Sequence, residues 1–212
     1  MSRVVQAFSK VAEEYDRWYE GNPLFLSEVE AVKSIGPVLY PSLEVGVGTG
    51  RFAAALGIDF GLDPTLSMLS LAYQKGVKVV CGTAEALPFK SQVFRGVYFL
   101  FTFCFLEDQK KALEEARRVL SPQGLLILGL INRDSPWGAF YLRKREEGHP
   151  LYSLAWFLTP EEARDLAEER GFVFEEAVST LFRSPEEPPQ EEPPRKGLWP
   201  EAGFIVLSFR RS

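Results

Sequence analysis

Gly46, Gly48 and Gly50 stand at alternate positions directly after an apolar run that ends at Val45. The stretch reads Leu43-Glu-Val-Gly-Val47-Gly-Thr-Gly-Arg-Phe52, and Arg51 to Leu56 continues as a helix. Glycine permits a tight strand-to-helix turn and leaves bare backbone for a ligand to touch. Glu44, just inside the strand end, can hold that loop or meet a cationic group. This chemistry suits a nucleoside carrying positive charge better than a pyrophosphate. The rival is a dinucleotide turn. Read from Gly46, the pattern G-x-G-x-x-G fails, because Arg51 takes the third glycine position. Read from Gly48, the looser form ending in Ala53 is met. In that frame the turn no longer follows the strand directly, and Glu44 has no role. It leaves an NAD(P)-dependent oxidoreductase as the alternative.

Other side chains with chemical potential are fewer. His149 is the sole histidine and a weak candidate for a general base, against the plainer reading of a solvated loop histidine. Cys81 and Cys104 fall in apolar strand-like runs and read as buried thiols suited to a reducing cytosol. No metal cluster is visible, and Asp134 alone does not make a magnesium site.

These residues need elements to hold them. Residues 2–36 are helical in pattern, with Val4, Val5, Phe8, Val11 and Ala12 on one face. Strand-like runs follow at 42–45, 59–62, 77–81, 96–103 and 125–131, with helical patterns between them. Asp63-Pro64 reads as the N-cap and first turn of a helix running to Gly76. Ala112, Leu113, Ala116, Val119 and Leu120 form the stripe of another, broken by Pro122-Gln-Gly124. Alternation of this kind predicts an α/β fold with a mostly parallel sheet covered on both faces. Residues 132–157 are rich in aromatics and charge without a clear period. Thr159-Pro-Glu-Glu162 is a capping box opening a helix that ends at Gly171. Residues 172–181 and 204–209 read as two last strands. The Pro- and Glu-dense stretch 184–196 between them reads as an exposed loop.

Composition narrows the function. The 212 residues make one domain, 1–212, and can bury a full central sheet. The net charge of −5 and absence of a basic tract make nucleic acid a poor partner. No apolar run reaches the length of a membrane span, and the first ten residues lack the apolar core of a signal peptide. The expected setting is cytoplasmic. Scarce Asn with plentiful Glu, Arg and Pro hints at a thermophile.

Five segments in order resemble the class I S-adenosylmethionine-dependent methyltransferases, close to the ubiquinone/menaquinone-biosynthesis type of small-molecule enzyme. They are Ala12-Glu-Glu-Tyr15-Asp16, Leu43 to Gly50, Gly61-Leu-Asp63-Pro64 with Met68-Leu69, Gly82 to Phe89, and Glu115 to Gly124. The resemblance covers about residues 10 to 182. It implies a three-layer α/β/α Rossmann-like sandwich with a seven-stranded sheet whose last strand is antiparallel. It also implies S-adenosyl-L-methionine as cofactor. Gly46, Val47, Gly48 and Gly50 would pass under it. Asp63 would accept the ribose hydroxyls, with helix capping as its plainer role. Pro64, Met68 and Leu100 would line the nucleoside, and Tyr15 would meet the methionine end. Thr83, Ala84 and Glu85 would hold the adenine. Thr83 stands where the family often has an acid, and which of Thr83 and Glu85 takes the amino group stays open. Thr83 and Arg95 both depart from the pattern, so a non-catalytic S-adenosylmethionine-binding protein is a second alternative.

Residues 100–105 (Leu-Phe-Thr-Phe-Cys-Phe) occupy the position where amino-methylating enzymes of nucleic acids carry Asn-Pro-Pro-Tyr. Its lack argues against nucleobase targets, and the resemblance implies a small-molecule methyl acceptor. Trp18, Tyr19, Phe103, Trp137 and Tyr141 are the expected acceptor-pocket residues, with Phe140, Tyr152 and Trp156 nearby. Aromatic faces stabilise sulfonium or ammonium, while each ring taken singly reads first as core or lid packing. Residues 1–36 then form a helical cap and 132–157 a substrate lid, in a monomer or homodimer.

Overall fold

The computed structural model describes residues 2–212. A single sheet runs through it in the strand order β3-β2-β1-β4-β5-β8-β6-β7. The strands are β1 (Ser42–Val45), β2 (Phe60–Asp63), β3 (Lys78–Cys81), β4 (Phe94–Leu100), β5 (Leu120–Ile131), β6 (Phe172–Thr180), β7 (Arg195–Lys196) and β8 (Phe204–Arg211). The first five pair in parallel, whereas β8 inserts antiparallel between β5 and β6. Seven of these are the strands expected from the sequence. The eighth corrects the count: Arg195 and Lys196 close the segment taken as a loop and pair with Val178 and Ser179 of β6. Glu192 explains why this Pro- and Glu-rich strap stays down. Its carboxylate accepts from the Phe182 and Arg183 N–H groups, and its own N–H donates to the Ser27 hydroxyl.

Alternation along the strands makes two cores. Val97 and Phe99 of β4, Leu126 and Leu128 of β5, and Ile205 and Leu207 of β8 face α5 (Gln109–Val119) and α7 (Pro160–Glu168). Tyr98, Ile127, Phe204 and Val206 face the opposite layer. That layer includes α2 (Pro23–Lys33), α3 (Arg51–Leu56), α4 (Leu66–Gln74) and Trp137 on α6 (Pro136–Glu146). The capping box forms as predicted, Thr159 and Glu162 each accepting from the other's backbone N–H. The N-terminal helical stretch is two helices, α1 (Arg3–Trp18) and α2, parted by Gly21 and the Asn22 cap. Helix α4 starts later than predicted. Its N-cap is Thr65, and Asp63 accepts the Thr65 N–H from outside the helix.

The chain leaves β1 toward β2 on one side and returns to β4 on the other. Ligands of open α/β sheets bind in the crevice beyond the carboxyl ends of strands at such a reversal. The glycine turn sits at this switch.

Candidate active site

A cavity of about 680 Å³ opens at the carboxyl ends of β1, β2 and β4, beneath α1. Its size falls within the roughly 300–1,000 Å³ of small-molecule sites. The floor is the glycine turn. The N–H groups of Gly46 and Val47 both donate to the Leu62 carbonyl, so the turn begins immediately after β1. Gly46 has φ +72°, and a Cβ there would lie 2.2 Å from the Thr102 side chain. Gly48, at φ +52°, faces open space instead. Its bare backbone is therefore accessible, while Gly46 is needed for packing. This geometry assigns the turn to the frame starting at Gly46, and not to the dinucleotide frame starting at Gly48.

Two acids flank the turn. Asp63 accepts from Gly48 N–H at 3.0 Å and Thr65 N–H at 2.8 Å. Burial raises its pKa, and the Thr65 and Gly48 hydrogen bonds counter only part of that rise. Its oxygens keep lone pairs for further donors. Glu44 is buried, and burial pushes its pKa well up, against a hydrogen bond from the Ala53 backbone in α3. It thus serves the N-terminus of a helix whose own N-cap is a glycine. Its second oxygen has no partner although it belongs to the cavity wall. An orphaned buried oxygen, an open glycine and an acid at the β2 end fit a cationic nucleoside bearing amino and hydroxyl groups.

The loop over residues 82–89 is braced from behind. Glu115 accepts the Leu87 N–H at 2.8 Å, while Arg118 donates to the carbonyls of Leu87 and Phe89. The Arg118 guanidinium beside it, with the Leu87 N–H, holds the Glu115 carboxyl below its usual range despite partial burial. Thr83, Ala84 and Glu85 all line the cavity. Glu85 already accepts from the Asp108 N–H at 3.4 Å, whereas Thr83 is exposed.

Most expected cofactor residues come together here: Tyr15, Glu44, Gly46, Val47, Gly48, Asp63, Pro64, Met68, Thr83, Ala84, Glu85 and Leu100. Gly50 lies outside the wall. A Cβ on it would meet Ala72 of α4 at 2.8 Å, so it permits helix packing.

The expected acceptor residues separate. Tyr19 lines the cavity, with its hydroxyl 2.7 Å from that of Tyr15. Trp18 points outward and is 46% exposed. Phe103 is buried against Phe99 in the core, not in the cavity. The reason is Phe101, which leaves β4 at φ +59° and reverses the alternation expected through residue 103. Phe101 lines the cavity instead and stacks on Phe204, ring centroids 4.7 Å apart. Trp137 is a core residue, 8% exposed, its indole N–H donating to the Arg183 carbonyl at 2.9 Å. Tyr141 packs on Tyr152 away from the wall. His149 also stands apart from the cavity. Its Nδ1 accepts from the N–H groups of Leu151 and Tyr152, capping a 3-10 turn, and burial together with Lys144 lowers its pKa. Cys81 is exposed, contrary to expectation, because β3 is an edge strand; Cys104 is a free thiol that burial pushes up to about 12.

Residues 132–157 form α6 and a 3-10 turn, and none of them is part of the cavity wall among the described residues. The cover is α1, through Val4, Val5, Phe8, Tyr15 and Tyr19. A clasp holds it. Arg51 donates to both Asp16 oxygens at 2.8 and 2.6 Å, and Lys75 adds a contact at 2.9 Å. Burial alone would raise the Asp16 pKa, but the Arg51 and Lys75 contacts outweigh it and bring it to about 2. Arg51 entered the sequence reading only as a missing glycine. The signal was an acid in the N-terminal motif and a base after the turn, with nothing local to join them. Among the described residues no group of three His, Cys, Asp or Glu side chains could hold a metal ion, and no helix is long and apolar enough to cross a membrane.

Comparison with known proteins places the chain in a family. A methyltransferase-domain family model matches residues 43–128. The crystal structure of an S-adenosylmethionine-dependent methyltransferase from Thermotoga maritima, described as a possible histamine N-methyltransferase, is 37% identical. It superposes with a TM-score of 0.92, over 99% of this chain and 100% of that one. An uncharacterised Methanocaldococcus jannaschii protein is 37% identical over 208 residues, 98% of this chain and 100% of the relative. A demethylmenaquinone methyltransferase of Thermotoga maritima is 28% identical over 220 residues, 85% of this chain and 91% of its own. The chain belongs to the S-adenosylmethionine-dependent methyltransferases, in a Rossmann-like fold, and S-adenosyl-L-methionine is its cofactor. The oxidoreductase and non-catalytic alternatives are set aside.

Proposed function

We propose that this chain methylates a small-molecule acceptor by in-line displacement at the sulfonium methyl group. The carrying observation is the cover: α1 closes the cavity with aromatic side chains and is clasped through Asp16, Arg51 and Lys75. That enclosure suits a small acceptor and leaves little room for a polymer. Two relatives whose names include histamine and demethylmenaquinone support the same class.

In this reading Asp63 takes the ribose hydroxyls, Thr83 to Glu85 the adenine, and the free oxygen of Glu44 the charged amino group. When bound, the cofactor supplies an electrophilic methyl group on a neutral leaving thioether. Little charge needs stabilising, so the protein contributes chiefly position, on the order of 7–11 kcal/mol at best. Tyr15 and Tyr19 orient the acceptor and exclude water. Helix α1 acts as the gate, and residues 132–157 back the acceptor side. The setting is the cytoplasm, with the chain a monomer or homodimer.

Thermal melts test this reading. S-adenosylhomocysteine at about 100 times its dissociation constant should add ~2.7 kcal/mol of stability, and NADH none. Asp63→Ala should remove most of that gain. Equal binding by Asp63→Ala in calorimetry would withdraw the ribose assignment.

A further inference from the structure

Arg51 is the only cation in the wall of the cavity among the described residues. The other charged side chains there are all acids: Glu44, Asp63, Glu85, Glu107 and Asp108. An anionic group entering this space has one side chain of opposite sign to meet, and that guanidinium is only partly engaged. Its Nε and Nη2 donate to the two Asp16 oxygens at 2.8 and 2.6 Å, and Nη2 also meets Glu20 at 3.1 Å. Nη1 donates to no group among the described residues. Asp16 is held a second time by Lys75 at 2.9 Å, and the Glu20 side chain is 61% exposed, where water screens its charge. The cluster therefore holds more positive charge than its buried acid balances.

Thr49, two residues before Arg51 on the glycine turn, belongs to the same cluster. It is 1% exposed and lies in the cavity wall. Its hydroxyl favours the charged form of Asp16 but completes no hydrogen bond there or elsewhere among the described residues. A buried hydroxyl left without a partner is costly. A hydroxyl and the free edge of a guanidinium both donate, and together they suit a carboxylate. Glu44 stands at the other end of the same turn with a free oxygen. An acid and a base flanking one turn match the ammonium and the carboxylate that an amino acid carries on a single carbon.

We propose that Arg51, with Thr49, binds the carboxylate of S-adenosylmethionine and so couples cofactor binding to the closure of α1. The proposal rests on the methyl-transfer reading above. A guanidinium is planar and rigid, so fixing one edge on the cofactor aims the other at Asp16. The cofactor then supplies the ordering of Arg51 that the clasp requires, and α1 seats more firmly over a filled site than over an empty one. By linkage, the clasp in turn tightens the cofactor.

The test uses the full chain and two ligands. One is S-adenosylhomocysteine; the other is its decarboxylated analogue, in which hydrogen replaces the carboxylate and the amine is kept. In calorimetry the first should bind roughly tenfold or more tighter than the second. Hydrogen exchange in α1 should slow when S-adenosylhomocysteine binds and change much less when the analogue saturates the site. Arg51→Gln should lose the preference, the two ligands then binding alike, whereas a purely structural arginine would weaken both and leave their ratio intact. Asp16→Asn should keep the preference while α1 no longer slows. If Arg51→Gln does not fold, the wild-type preference and the exchange pattern decide alone. Equal affinities in the wild type, a preference that survives in Arg51→Gln, equal slowing of α1 by both ligands, or undiminished slowing in Asp16→Asn overturns the proposal and leaves the cofactor reading standing. Failure of S-adenosylhomocysteine itself to bind brings down both.

Discussion

The two ends of the cavity are built from different materials. At the glycine turn the wall is backbone, and the side chains there, Asp63 and Glu44, are set by neighbours close in sequence or in the adjacent strand. At the far end the wall is aromatic rings from α1, the β4 exit and, behind them, α6. A backbone site leaves its mark in residue spacing, since glycine suits those φ values best. A side-chain site depends on where distant helices dock, and spacing carries little of that.

Four measurements press on this contrast. Trp137→Ala should cost about 3–5 kcal/mol in denaturant unfolding, because it empties a packed core position. A variant of full stability with altered acceptor choice would restore Trp137 to the acceptor pocket. The glycine pair comes next. Gly46→Ala should destabilise by ~2–4 kcal/mol, since its methyl group meets Thr102 at a left-handed φ. Gly48→Ala, with open space around it, should lose only about 1–2 kcal/mol of stability yet bind S-adenosylhomocysteine poorly. Equal melting temperatures for the two would show that the turn does not divide its labour in this way.

The clasp on α1 has a pH signature. Asp16 is held near 2, below its ordinary 3.8. Its contribution is complete above about 3.8 and is lost as pH falls toward 2. The amount is on the order of 2 kcal/mol, and Asp16→Asn should flatten the stability profile across that window. Glu28 and Glu44 act with the opposite sign. Their raised pKa values favour folding below 4.5 and weaken it as pH rises beyond that. An Asp16→Asn profile parallel to wild type from neutral to acid pH would mean the clasp does not hold α1. The smallest effect is at the loop that carries Thr83 and Glu85. Thr83→Val should weaken cofactor binding by about 0.5–1.5 kcal/mol, and Glu85→Gln by less, as Glu85 is already engaged. The reverse ranking in a titration transfers the contact to Glu85.

The sequence made the parallel sheet, its strand positions and the floor of the cavity readable, because buried parallel strands and glycine turns are local patterns. It misjudged Phe103 because one left-handed residue, Phe101, resets which side chains face inward, and no period announces it. It misplaced Trp137 and Tyr141 because α6 lacks an apolar stripe that would fix its orientation in advance. Asp16 and Arg51 were both in view, 35 residues apart, but their pairing exists only once α1 packs on α4 and brings Asp16 to the start of α3. The brace from Glu115 and Arg118 gives a physical reason for a motif that carried only resemblance before.

The short strand β7 bears on how copies of this protein meet. An uncovered strand at the margin of a sheet offers a row of free N–H and C=O groups that can recruit another chain. Across β6, Arg195 and Lys196 occupy part of that row, and the charges they carry oppose stacking of further strands. The other margin is β3, only four residues long and headed by Lys78. Neither border of the sheet is thus a ready template for growth by strand addition, which helps a chain with so apolar a sheet stay dispersed when crowded or heated.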